Sequence, residues 1–234
     1  MYWPAAALAL LLSACGGGGS DSGSTPASQV STETFQLRTA YANAVGDTTT
    51  RSFQISGTVS GVAITGSGSA TQGALVAASF EGRSAQSKTT TITGSFSAAG
   101  TTPVPLAVTT VAYFDSSLNL LGENDDGEYL VVNSATTVPT TARVGDSGTW
   151  YTADRYDSSA KTTRQGSWTV TYALDADTAS SAILRLTSVE RDTSNATVST
   201  TTSRFRMTPA GALTPLAEVY SDSSGSMTLT YGSP

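Results

Sequence analysis

The sequence predicts an all-β fold: an antiparallel meander that forms a curved sheet, a half-barrel or a barrel. A β-sandwich is the alternative, and almost no helix is expected beyond an N-terminal signal segment. Three observations carry this prediction. Apolar residues recur with period two, Ser and Thr fill the alternate positions, and turn signals fall at strand-length intervals.

The alternation is clearest in three stretches. Phe53, Ile55 and Val59 alternate with Ser52, Gln54, Ser56 and Thr58; Trp168, Val170, Tyr172 and Leu174 alternate with Ser167, Thr169, Thr171 and Ala173; Met227, Leu229 and Tyr231 alternate with Ser226, Thr228 and Thr230. Successive side chains of a strand point to opposite faces, so this pattern is a strand with one buried and one wet face. Thr suits that setting because its branched Cβ fits a pleated surface.

Turn residues separate these runs. They include Val45-Gly46-Asp47, Gln72-Gly73, Ala99-Gly100, Asp125-Asp126-Gly127, Gly145-Asp146, Asp175-Ala176-Asp177, Ala210-Gly211 and Ser224-Gly225. About eleven to thirteen strands follow, drawn from 33–43, 51–60, 62–71, 74–82, 87–97, 106–114, 118–122, 128–133, 148–157, 164–174, 181–191, 196–208, 212–221 and 226–232. No window holds an apolar stripe of helical period longer than two turns.

Composition narrows the chemistry. The 234 residues include 34 Ser and 39 Thr, 12 Lys and Arg, 18 Asp and Glu, one Cys and no His, for a net charge of −6. Without His there is no His-based catalytic triad and no His-ligated zinc. A single Cys excludes an intrachain disulfide and CxxC redox chemistry. The acidic balance, with a pI near 4.5, argues against nucleic acid, which needs a basic face. No cofactor or metal is expected.

The N-terminal segment gives an address. Ala5 to Leu12 form an apolar run too short for a bilayer span, which needs about 20 residues, but of signal-peptide length. Met1 to Pro4 carry no basic residue, which points to a start upstream of Met1 or to a trimmed segment. The run ends in Leu12-Ser13-Ala14-Cys15, which resembles the lipobox of bacterial lipoproteins. That resemblance implies diacylation of Cys15 on sulfur, cleavage before it and acylation of its new amino group. Several acyl chains hold a protein firmly at a membrane, whereas one anchors it marginally. Gly16, where an Asp would imply inner-membrane retention, resembles the outer-membrane sorting pattern. Residues 1–14 are therefore read as signal peptide. Residues 15–31 are the lipidated Cys and a Gly/Ser tether reaching roughly 20–25 Å. Residues 32–234 are the body.

Within the body, Val45-Gly46-Asp47-Thr48 matches Val144-Gly145-Asp146-Ser147, and Pro105-Leu106-Ala107 matches Pro215-Leu216-Ala217. If these mark a duplication, the two halves divide near 134–143. The segment Val144 to Tyr151 (VGDSGTWY) resembles a strand opening in β-rich proteobacterial envelope lipoproteins. Some of those carry half-barrel or lipocalin-like sheets around apolar ligands, so the resemblance implies a curved sheet.

Few residues suggest catalysis. Glu123-Asn124-Asp125-Asp126-Gly127-Glu128 is rich in oxygen ligands, but its spacing does not match a calcium loop and Asp-Gly marks a hairpin tip. Asp154 with Asp157, or Asp175 with Asp177, could pair as acid and base for glycoside hydrolysis, although turn chemistry accounts for Asp175 and Asp177 more simply. Ser158-Ser159-Ala160-Lys161 has the spacing of a Ser–Lys element without the helix that such chemistry requires. The aromatics are more suggestive. Trp150 and Tyr156 fall on one face of one strand, Trp168 and Tyr172 on one face of the next, and a hairpin of the two would give an aromatic wall.

The leading expectation is a non-enzymatic lipoprotein of the bacterial envelope, lipid-anchored at the outer membrane through Cys15, with a structural or interaction role. The alternative is a binding module for an apolar ligand or a glycan through Trp150, Tyr156, Trp168 and Tyr172. A carboxylate-dependent hydrolase ranks third. No catalytic residue and no nucleic-acid partner is expected.

Overall fold

The computed structural model describes residues 30–125, 127–135 and 138–232; the expected signal peptide, Cys15 and the expected tether up to residue 29 lie outside them. The chain first forms one helix, α1 (Leu37–Gly46). The strands follow: β1 (Thr50–Val59), β2 (Val62–Gln72), β3 (Val76–Phe80), β4 (Arg83–Ala98), β5 (Val104–Phe114), β6 (Leu120–Asp125) and β7 (Glu128–Ala135). Then come β8 (Ser147–Tyr156), β9 (Arg164–Thr178), β10 (Ser181–Asp192), β11 (Thr197–Met207), β12 (Leu213–Asp222) and β13 (Gly225–Tyr231).

Each strand pairs antiparallel with its neighbours, and two pairings close the sheet. The first joins β1 to β13 (Phe53 opposite Tyr231), and the second joins β2 to β4 (Ala70 opposite Ile92). The result is a closed barrel of 12 antiparallel strands, with β3 as one extra strand on the far end of β4. Closure removes the exposed edges that an open sheet of this size would present. Of the predicted forms, the barrel is the one adopted.

Alternation decides which side chains enter the lumen. On β10 the inner row reads Ala182, Leu184, Leu186, Ser188 and Glu190, each buried, while Arg185, Thr187 and Arg191 face outward and are partly exposed. On β9 the inner row is Trp168, Val170, Tyr172 and Leu174. Two approaches dictate glycine. A Cβ on Gly68 of β2 would lie 2.6 Å from the Phe53 ring. One on Gly122 of β6 would overlap the Phe80 ring.

Two expectations are corrected. Residues 33–43 are not a strand: Leu37 begins α1. Leu37, Ala40, Tyr41, Ala44 and Val45 form its buried face, spaced as one side of a helix. Phe35, Leu37 and Tyr41 also alternate, so the period-two reading competed. Asp175 and Asp177 are not turn residues either, because β9 continues to Thr178 and β10 pairs along it. The predicted hairpin tip after Asp125 does join β6 to β7.

A ten-residue helix is marginal alone, and α1 has no side-chain N-cap. Tertiary contacts hold it instead. Its buried face joins the largest apolar cluster, with Phe35, Phe114, Trp150, Leu184 and Phe205. Phe35 exchanges backbone hydrogen bonds with Ala142 (2.9 and 3.0 Å), and Gln36 N–H donates to Pro209 (3.0 Å). At the other end, Lys88 Nζ of β4 donates to the carbonyls of Ala44 (3.0 Å), Val45 (2.9 Å) and Asp47 (2.8 Å). A buried cation at a helix C-terminus satisfies orphan carbonyls and complements the dipole. Burial nevertheless pulls the Lys88 amine down to about 8. The helix thus marks one end of the barrel, the upper end below; the lumen rows run from it toward the lower end, where Ser188 and Glu190 lie.

Candidate functional site

The four aromatics singled out in the sequence do not form one wall. β8 and β9 are indeed a hairpin, but the pairing shifts register between Thr149 and Tyr151 and again between Arg155 and Tyr156. Such irregularities break strict alternation, and Trp150 and Tyr156 end on different sides of the sheet. Trp150 lies in the upper lumen, 5.5 Å from the Tyr41 ring and edge-on to Tyr172 at 5.7 Å. Trp168 is 1% exposed in the same cluster. Tyr156 packs with an outer cluster of Phe80, Ala85 and Tyr129.

That outer cluster is made by the β3–β4 hairpin. Glu81 and Gly82 form its two-residue turn with φ of 51° and 73°, the left-handed geometry that two-residue hairpins favour. The tip folds onto the outside of the barrel. Phe80 stacks on Tyr129 at 5.4 Å and lies 4.8 Å from Tyr113. Glu81 accepts from the Tyr129 hydroxyl (2.8 Å) and pairs with Lys161. These donors lower the Glu81 carboxyl below its ordinary range. Between the hairpin and the outer faces of β6 and β7 lies a pocket of about 270 Å³. Phe80, Leu121 and Val131 are among its apolar lining, and its polar groups are Arg83, Asn119 and Asn133 with the carboxylates of Glu81 and Asp115. An apolar surface with a few convergent polar groups is the form of a small-molecule site.

The lower lumen is polar along β7 to β11, while Ile55, Ile64, Met227 and Leu229 of β1, β2 and β13 form a second apolar cluster. Arg155 of β8 binds two carboxylates at once: its Nε donates to Glu128 Oε1 (2.5 Å), and its Nη2 lies 2.7 Å from Glu190 Oε1. Ser199 donates to the other Glu190 oxygen (2.6 Å), and Ser203 donates to Glu218 (3.1 Å). Burial raises the Glu128 carboxyl against the pull of Arg155, and pushes Glu218 up to about 8. Several buried atoms here have no hydrogen-bond partner: Glu128 Oε2, Trp168 Nε1, Ser188 Oγ, Thr201 Oγ1, Glu218 Oε1 and the Tyr231 hydroxyl. Glu123, on the lumen face of β6, is 1% exposed with both oxygens unpartnered, and burial holds its carboxyl well above the ordinary range.

Sequence reading missed this polar belt, although a signal was present. Ser188 and Glu190 continue the buried phase of Leu184 and Leu186, whereas a register shift at Leu216 puts Glu218 out of phase with the buried Leu213 and Pro215.

The other candidates lie on the outside. Asp154 is bound by Arg164 (2.8 and 2.6 Å) and Asn133, while Asp157 ties the β8–β9 loop through Thr162 (2.8 Å). Asp175 pairs with Arg185 (2.8 Å), and Asp177 with Arg206 (2.7 Å). Each is thus occupied by a structural partner. Lys161 follows a short loop turn and reaches Glu81 rather than Ser158. Among the described residues, no three Asp, Glu, Cys or His side chains gather to hold a metal ion. No protein-family model, no curated protein and no solved structure matches this chain.

Proposed function

We propose that this chain is a non-enzymatic binding module, held at a bacterial envelope membrane by lipid on Cys15, that takes a small apolar-bodied molecule beneath the β3–β4 hairpin. The observation that carries the reading is the pocket of about 270 Å³ between Phe80 and the Leu121 and Val131 side chains, with Arg83 beside it. Its size suits a single ring, and Arg83, Asn119 and Asn133, beside the carboxylates of Glu81 and Asp115, suit a ligand with a strongly polar end. Trp150 and Tyr172, packed beneath α1, contribute core rather than ligand surface.

The membrane half of the proposal rests on the LSAC motif and on the barrel's outside. A membrane-spanning barrel needs an apolar outer band. Here the outer rows of β9 and β10 carry Thr169, Thr171, Asp175, Arg185 and Arg191. That pattern suits a body in water held by a lipid anchor.

Calorimetry with benzoate, phenol and indole tests the binding half. At least one should bind, and Val131→Phe, which puts a ring into the pocket, should abolish that binding while the fold persists. Absence of binding across the panel, or equal binding by the variant, rejects the reading. Labelled palmitate should enter the full chain and fail to enter Cys15→Ala; no incorporation into the wild type rejects the anchor.

A further inference from the structure

The lower lumen is distinct from the outer pocket and has an imbalance of its own. One guanidinium, Arg155, lies between the two carboxylates Glu128 and Glu190. Ion pairing inside a barrel compensates desolvation only when charge and hydrogen bonds both close. Neither closes here. Two carboxylates against one cation leave a negative charge over, and Glu128 Oε2 is buried without a donor.

The neighbours repeat the deficit. Trp168, directly opposite Glu190 in the β9–β10 register, is 1% exposed, and its Nε1–H has no acceptor. Ser188 and Thr201 face each other across β10 and β11, both 3% exposed or less, and neither hydroxyl has a partner. Buried polar atoms are ordinarily satisfied, so a run of orphans on one lumen wall marks where something else supplies the bonds.

The missing partner's chemistry follows. It must donate to a carboxylate oxygen, exchange hydrogen bonds with hydroxyls and carry positive charge. Water supplies hydrogen bonds without charge, as does a sugar. A carboxylate ligand would be repelled. A protonated amine supplies three donors and one charge, and the indole beside it offers an electron-rich face. The Glu128 and Arg155 side chains, each 13% exposed, give solvent a way in.

We infer that the lower lumen of the barrel, at Glu128, Glu190, Trp168, Ser188 and Thr201, binds a small primary ammonium compound.

The test is thermal shift and calorimetry on the folded chain at pH 7 in 150 mM salt, with n-butylamine and 1,4-diaminobutane as probes and glucose and butyrate as comparisons. Saturable binding is expected for an amine and for neither comparison. Glu128→Gln should weaken it at least tenfold, and Ser188→Val, which keeps a packed wall, should weaken it several-fold. Arg83→Ala, at the outer pocket, should leave it unchanged. The inference is overturned if no amine binds, if glucose binds instead, or if amine binding persists undiminished in both Glu128→Gln and Ser188→Val.

Discussion

The two ends of the lumen are built from the same strands, yet they are opposites. Toward α1, β10 and β11 contribute Leu184, Leu186, Phe205 and Met207, and the helix adds Leu37, Tyr41 and Val45. Toward the other end the same two strands contribute Ser188, Glu190, Ser199 and Thr201. At the upper end Lys88 satisfies the helix carbonyls, while Arg38 Nη1 and the Glu123 carboxylate, level with Ala112 and Leu130, are buried without partners. The lower end leaves buried acceptors, hydroxyls and an indole N–H without partners. The lesson is a division of labour along β9, β10 and β11, with apolar packing concentrated above and unfilled bonding capacity below. Such capacity costs stability and persists in proteins where function uses it.

The largest expected effect lies in the response to pH. The Glu218 carboxyl sits at about 8 in the fold against an ordinary value of 4.5. A raised acid stays protonated in the folded chain while the unfolded chain releases its proton, so stability falls as pH rises from 4.5 toward 8. The shift corresponds to about 5 kcal/mol across that window. Urea unfolding should show Glu218→Gln matching the wild type near pH 4 and exceeding it at pH 8. Parallel pH profiles for the two would break the contrast.

Next comes packing in the upper end. Leu184 is 1% exposed, and Leu184→Ala should cost about 2–5 kcal/mol, read as a lower urea midpoint. Lys88→Met should cost somewhat less, about 2–4 kcal/mol, because it leaves three carbonyls at the end of α1 without a donor. Hydrogen exchange in that variant should rise first in α1. The smallest effect belongs to the outside. Asp177 pairs with Arg206, whose side chain is about half exposed, so Asp177→Asn should change stability by less than about 1 kcal/mol.

The contrast was half legible in the sequence. Strands such as β9 and β13 declare themselves because every second residue is large and apolar, and the break between β6 and β7 because Asp-Gly marks a hairpin tip. α1 was hidden because Phe35, Leu37 and Tyr41 satisfy a two-residue period as well as a helical one, and its cap, Lys88, lies more than forty residues away. Closure was hidden for a similar reason: the β2–β4 pairing skips β3, and no local pattern records it. The pocket depends on the β3–β4 hairpin folding outward, which Glu81-Gly82 permits but does not specify. The register shifts at Thr149–Tyr151 and Arg155–Tyr156 separated Trp150 from Tyr156, a parting invisible to simple alternation. Glu190 was visible, as a charge in an apolar phase, and is the residue from which the lower lumen could have been found; Glu218 was hidden by the register shift at Leu216.

The most direct test of the division between the two ends is urea unfolding of Thr201→Val at pH 7, set beside Leu184→Ala. Val replaces a buried hydroxyl that has no partner with a methyl of the same shape. If the lower lumen is polar for a ligand rather than for the fold, Thr201→Val will be as stable as the wild type or more so, while Leu184→Ala loses its few kcal/mol. A Thr201→Val protein destabilised as much as Leu184→Ala would show that the polar wall holds the barrel together, and would contradict the account.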